Sequence, residues 1–209
     1  MTARMTARSG HGEKNQLTRS AILDATEQIL REEGYAAVSS RKVAAKAGLK
    51  SQLVHYHFGT MDDLFLALFR RVEEQHFHLL AQAMASKQPL RALWELSIDA
   101  GKPRLSKDFI ALATHHEALR TEIARSTERT RSLQVAALRR ILEERAMSTD
   151  AFPPAALAIL MEGAARLMVS ETALGTTAGH AETIAFVEAQ IDRLESAPPN
   201  IHNPVNIHP

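Results

Sequence analysis

The sequence predicts an all-α protein with a small head of three helices followed by a larger helical domain. Three observations predict it. Apolar residues recur at three- and four-residue spacing over most of the chain, as at Ile22, Ala25, Ile29 and Leu30, which is the pattern of one buried helix face. Gly34, Gly48, Gly175 and Gly179 stand at the ends of such runs, where a left-handed residue stops a helix. The chain has 209 residues and 45% hydrophobic content, enough to bury a core in one compact domain or in a small domain followed by a larger one.

Residues 1–16 repeat MTAR and continue as SGHGEKNQ without apolar periodicity, so they read as a flexible arm. The first helix is expected over residues 17–33, ending at Gly34. Ser39 or Ser40 can cap the next helix by accepting a backbone N–H, and RKVAAKA carries that helix about two turns, to Gly48. Residues 50–57 form the third, with Val54 and Phe58 four apart on its inner face. A short support helix, a glycine-bearing turn and a second helix with a free outer face are the parts of a helix-turn-helix. The outer face of the third helix offers Lys50, Ser51, Gln52, His55 and His57, a set suited to phosphates and base edges. The same geometry arises in helical proteins that bind no nucleic acid, so by itself it leaves both readings open.

The fourth helix is expected over residues 60–85, with Leu64, Leu68, Val72, Leu79 and Ala83 at near-helical spacing and no proline or glycine between them. Asp62 and Asp63 fall in its first turn, where acidic groups favour the helix dipole and cap the end. Five more helices follow, over residues 89–100, 105–116, 118–145, 153–173 and 179–195. Pro153 and Pro154 suit a helix start, where a missing N–H costs nothing. The helix over 153–173 is apolar on more than one side, through Leu157, Leu160, Met161, Ala164, Ala165, Met168 and Val169. With Ile184, Val187, Ile191 and Leu194 of the last helix it is expected to build a two-fold four-helix interface with a second copy, a core helix of its own subunit being the alternative. Residues 196–209, SAPPNIHNPVNIHP, cannot continue a helix and read as a flexible tail, or as a strap laid on a partner subunit through Ile201, Val205 and Ile207.

Composition excludes several classes. There is no cysteine, hence no disulfide framework, thiolate metal site or cysteine nucleophile. No run approaches the roughly 18 to 20 apolar residues of a membrane span, and the polar start lacks the apolar centre of a secretion signal, so a cytoplasmic location is expected. His76 and His78 are two apart and His115 and His116 adjacent, neither being the four-residue spacing of a helical chelate, so no metal and no cofactor are assigned. No nucleophile-elbow, phosphate-loop or dinucleotide motif is present, and no enzymatic activity is expected. The net charge of +1 hides an asymmetry: residues 1–60 hold nine Lys or Arg against five Asp or Glu, and residues 61–209 sixteen against nineteen.

The stretch SSRKVAAKAGLKSQLVHYHFGTMDDLFLALFRR resembles the DNA-binding region of TetR-family regulators: a Ser/Thr pair, a basic helix, A-G-[VL], a polar recognition segment, an aromatic-His-Phe ending and an acidic start to helix four. The resemblance covers about residues 17–71 and implies a DNA-binding head over 17–59 and a ligand-binding and dimerisation domain over 60–195. It implies that Ser40 and Arg41 contact DNA from the support helix and that Lys50, Ser51 and Gln52 read bases. His55 then falls where the family often has a tyrosine facing the backbone, His57 matches its customary histidine, and Thr60 offers side chain and N–H to a phosphate. Leu53 in place of the usual Thr or Ser suits a thymine methyl, and Met61 replaces a frequent lysine. The resemblance further implies a homodimer formed through the last two helices, a palindromic operator, repression relieved by a small molecule, and a fourth helix that links pocket to head. For the effector, Phe77, Met84, Leu93, Trp94, Phe109, Leu112, Met161 and Met168 are expected to line an apolar cavity, with His115 or His116 and Arg166 as polar contacts. Aromatic and methionine residues at helical spacing equally form plain core. An architectural DNA-binding protein without an effector would share the head, and only the long acidic remainder argues against it.

Overall fold

The computed structural model describes residues 3–99 and 107–196, with side chains from residue 12 onward except at 107, 108 and 196. The described residues form helices α1 (Ala3–Glu33), α2 (Ser40–Lys46), α3 (Ser51–Phe58), α4 (Met61–Met84), α5 (Pro89–Ile98), α6 (Lys107–Ala113), α7 (Glu117–Glu144), α8 (Pro154–Ala173) and α9 (His180–Ser196), with a short 3-10 turn at Tyr35–Ala37 and no strand among them. The main departure from expectation is α1, which begins at Ala3 where a flexible arm to residue 16 was expected. Ala, Arg, Met, Lys and Gln are good helix formers, so propensity extends a helix that apolar periodicity does not reveal. The expected tail lies outside the described residues apart from Ser196, the last residue of α9.

The chain divides into two compact units. The first comprises Met1–Glu74 with Arg104–Arg125, the second Gln75–Pro103 with Ser126–Pro209. The boundary therefore falls within α4, not at its start, and α6 with the first part of α7 joins the head.

In the first unit Ile22, Ile29, Val43, Val54, Phe58, Leu64, Leu68 and Phe69 form one core, which Phe109 and Leu112 of α6 and Leu119 of α7 complete. The Phe109 ring stands edge-on to Phe69, centroids 5.5 Å apart. Thr26 is fully buried in α1 because its hydroxyl donates to the Ile22 carbonyl, 2.7 Å away. Charged ties fix the helices on the outside: Lys42 pairs with Glu33, Lys46 with Glu32 at 3.1 Å, and Arg71 with both Asp24 (2.5 Å) and Glu27 (2.6 Å).

The second unit holds two apolar clusters. Leu90, Trp94, Leu138, Ile141, Ala158, Ala165, Met168 and Ile191 form the larger, and Leu80, Ala83 and Leu93 with Phe77 and Met84 the smaller. The start of α5 is held by α9: Leu90 N–H donates to Glu195 Oε1 at 2.6 Å, and Arg91 pairs with Asp192 at 2.6 Å. Burial raises the Glu195 carboxyl above its ordinary value, against the lowering effect of the α5 N–H groups and of Arg145 and Arg91. Ile191 is buried in the larger cluster, and Ile184, Val187 and Leu194 pack against it while staying partly exposed, so within the protomer this stripe of α9 is covered in part.

Candidate nucleic-acid interface

The head presents α3 with two opposed faces. Val54 and Phe58 are 2% and 5% exposed, while Gln52, His55 and Tyr56, at i, i+3 and i+4 on the other side, are exposed. Ser51 is exposed in the first turn and Lys50 is the N-cap residue, making no capping bond with its side chain, so both remain outward at the N-terminal end. The turn before α3 is set by Gly48, whose φ of 67° is the left-handed conformation that lets α2 stop and the chain reverse.

On α2, Ser39 rather than Ser40 is the cap: its Oγ accepts from Lys42 N–H at 3.3 Å. That leaves Ser40 half-buried in the first turn and Arg41 exposed, with no ion pair to a carboxylate among the described residues, whereas Lys42 and Lys46 are spent on α1. Arg41 is thus the cation that the support helix leaves outward.

His55 Nδ1 lies 3.3 Å from the Gly59 carbonyl, an acceptor, so this nitrogen carries the proton and Nε2 is turned to the other side of the ring. His57 is half-buried and set edge-on against Tyr56 at 5.2 Å. Thr60 is bound to Asp63. Its N–H (3.1 Å) and hydroxyl (2.6 Å) both donate to Asp63 Oδ2, and its Oγ accepts from Asp63 N–H at 3.1 Å, a reciprocal cap that occupies the groups expected to meet a phosphate. Tyr56, which sequence reasoning passed over, is 75% exposed on the same face as Gln52. The aromatic of VHYHF was legible, and only its register relative to the helix face was missed.

The expected effector residues are distributed over both units, and Leu93 and Met161 line one void of the second. Trp94, Met161 and Met168 share the larger cluster of the second unit, and Phe77 and Met84 the smaller one, where the Arg129 guanidinium covers the Phe77 ring at 4.1 Å. Phe109, Leu112, His115 and His116 belong to the first unit. There His115 is exposed, and His116 Nδ1 lies 3.0 Å from Asp62 Oδ2. Arg166 is exposed and paired along its own helix with Glu162 at 2.5 Å. The void in the second unit is only about 20 Å³, lined by Leu90, Leu93, Gln134, Leu138, Met161 and Glu162 among others. Ligand sites of ordinary size hold about 300 Å³ or more. Gln134 Oε1, in its lining, and Trp94 Nε1, elsewhere in the same unit, are buried without hydrogen-bond partners among the described residues.

A three-helix head with a capped support helix, a glycine turn and an outward polar face on the following helix defines the class: a helix-turn-helix protein. Residues 22–68 match the family "Bacterial regulatory proteins, tetR family". The chain is 28% identical over 196 residues to the HTH-type transcriptional regulator BetI of Agrobacterium fabrum, covering 87% of this chain and 90% of that protein. Among solved structures it resembles a TetR transcription regulator from Haloarcula marismortui (TM-score 0.65, 20% identity, 88% of this chain and 100% of the other). It also resembles the multidrug binding protein EbrR complexed with imidazole (TM-score 0.56, 24% identity, 88% and 92%). Residues 22–68 thus match the DNA-binding region of the tetR family, and most of the chain is similar to a transcriptional regulator.

Proposed function

We propose that the protein is a homodimeric repressor that binds a palindromic operator through α3 and is released by a small, largely apolar effector. One observation carries the reading: α3 buries Val54 and Phe58 and turns Gln52, His55 and Tyr56 outward, with Lys50, Ser51 and Arg41 beside them. These side chains supply bidentate amide and guanidinium groups for base edges and donors for phosphates. One such helix reads only a few base pairs, so two copies are needed, with half-sites about 34 to 36 Å apart or a multiple of that.

The dimer is supported by α8, whose Leu160 and Leu167, with the C-cap residue Leu174, recur every seven residues and are 68%, 59% and 81% exposed, and by Phe186 of α9 at 65%. Such a seam is costly to leave in water and matches coiled-coil spacing. The effector reading rests on the void of the second unit and on the unpartnered Gln134 carbonyl in its lining, which a ligand carrying a donor would satisfy. EbrR, which shares the fold, was solved with imidazole. The small size of the void favours the second reading, a DNA-binding regulator without an effector.

Selection of bound sequences from a random duplex library at fixed salt tests the proposal. The expected result is an enriched palindrome bound by two protomers, which then serves to screen small molecules for release. No enriched sequence would overturn operator recognition, and an operator that no compound releases would favour the second reading.

A further inference from the structure

Among the described residues Arg71, Arg91, Arg131 and Arg145 are the half-buried arginines, and all but one have an acceptor. Arg71 pairs with Asp24 and Glu27, Arg91 pairs with Asp192, and Arg145 donates to the Glu195 carbonyl at 2.8 Å. Arg131 of α7 is the exception: its Nε and Nη1 are buried without a hydrogen-bond partner, and no carboxylate among the described residues pairs with it. A guanidinium stays protonated inside a protein, so it cannot shed its charge to relieve burial. Arg131 shares one face of α7 with Gln134 and Leu138, at i, i+3 and i+7, and both of those line the void of the second unit. Glu162, the carboxylate in that lining, is already engaged: it accepts from Gln134 Nε2 at 3.4 Å and pairs with Arg166. The protomer thus holds an inward cation one helical turn from an apolar void and supplies no anion to it.

We propose that Arg131 anchors the carboxylate of a small organic acid whose apolar body lies between α5, α7 and α8, a proposal that rests on the reading of the second unit as the effector-binding one. A carboxylate accepts two parallel N–H bonds from one edge of a guanidinium, and one unpaired cation calls for one negative charge. Leu90, Leu93, Leu138, Ala158 and Met161 in the lining suit an apolar remainder. At about 20 Å³ the void has room for about one water, so the acid enters by displacing side chains. Met161 is unbranched and flexible, and turns aside at little cost. Pairing with Arg131 offsets that rearrangement, a gain that a neutral molecule of the same shape does not make.

The experiment is calorimetric titration of the full chain at neutral pH with the straight-chain acids from acetate to octanoate, with phenylacetate, and with the matching neutral amides. At least one acid should bind wild type about tenfold or more tighter than its amide. Arg131→Met removes the charge at similar volume and should bring acid and amide to within about twofold, whereas Arg131→Lys keeps the charge without the planar fork and should retain part of the preference. Without ligand, the denaturant midpoint of Arg131→Met should equal or exceed that of wild type, because the substitution removes a buried charge that has no partner. Acids that bind no better than their amides, a preference that survives Arg131→Met, or a lowered midpoint in that variant overturns the carboxylate site. The effector reading fails on a separate result, an operator complex that no compound releases.

Discussion

Val54→Ala and Gln52→Ala, two substitutions on opposite faces of α3, should have opposite consequences. Val54 is 2% exposed inside the head core. Truncation to alanine removes two carbons, about 1.6 kcal/mol by transfer alone, and the unfilled space raises the loss to about 2–3 kcal/mol. Because the chain has two compact units, a global melt mixes their stabilities, and hydrogen exchange of the α2 and α3 amides reads the head directly. A loss of that size speeds exchange by roughly 30- to 150-fold when opening limits it thermodynamically. Gln52 is exposed, and its truncation should change stability by under about 0.5 kcal/mol while weakening specific DNA binding. Exchange unaltered by Val54→Ala, or Gln52→Ala exchanging as fast as Val54→Ala, would show that the two faces of α3 are wrongly assigned.

Arg71→Met removes a guanidinium that joins Asp24 and Glu27 and is itself only 20% exposed. The head should lose about 1–2 kcal/mol, discounted because Asp24 lies largely in solvent, and exchange of α1 amides checks it. Glu195→Gln keeps the acceptor for the Leu90 N–H but abolishes the charge. The folded carboxyl sits above its ordinary value of 4.5, so its stabilising contribution is present in acid and lost as pH rises through the raised value. Wild type should therefore gain stability relative to the variant as pH falls through that window toward 4.5, with denaturant midpoints at several pH values as the check; a constant difference would refute the assignment. Leu160→Glu combined with Leu167→Glu should leave the protomer folded but shift sedimentation to the monomer, because both side chains are mostly in solvent within one chain. A dimer that persists would place the interface elsewhere.

Elements with local punctuation were legible from sequence. Ser39, Gly48 and Pro153 mark the ends of α2 and the start of α8 through a side-chain cap, a left-handed turn and a missing N–H. The start of α1 was not, because apolar periodicity reports a buried face and the sequence before Leu17 carries none to report. The α9 stripe was legible as apolar, but amphipathicity carries no information about which surface covers it, and within the protomer α5 and α8 cover it in part. Phe109 and His115 were grouped with the effector residues by residue type, whereas long-range packing puts Phe109 against Phe69 in the head unit. Thr60 and Asp63 show the same limit on a smaller scale: each residue type suits a helix start, and only the geometry reveals that they satisfy one another.

The most direct test of the central claim is the ratio of affinities for the selected palindrome and for a scrambled duplex of the same length, measured at one salt concentration. Wild type is compared with the Arg41→Ala/Gln52→Ala variant. If α2 and α3 read bases through these exposed side chains, wild type discriminates between the two duplexes and the variant loses at least about tenfold of that ratio, with head exchange rates unchanged. A ratio that survives both substitutions would contradict the account and remove the outer face of α3 from DNA recognition.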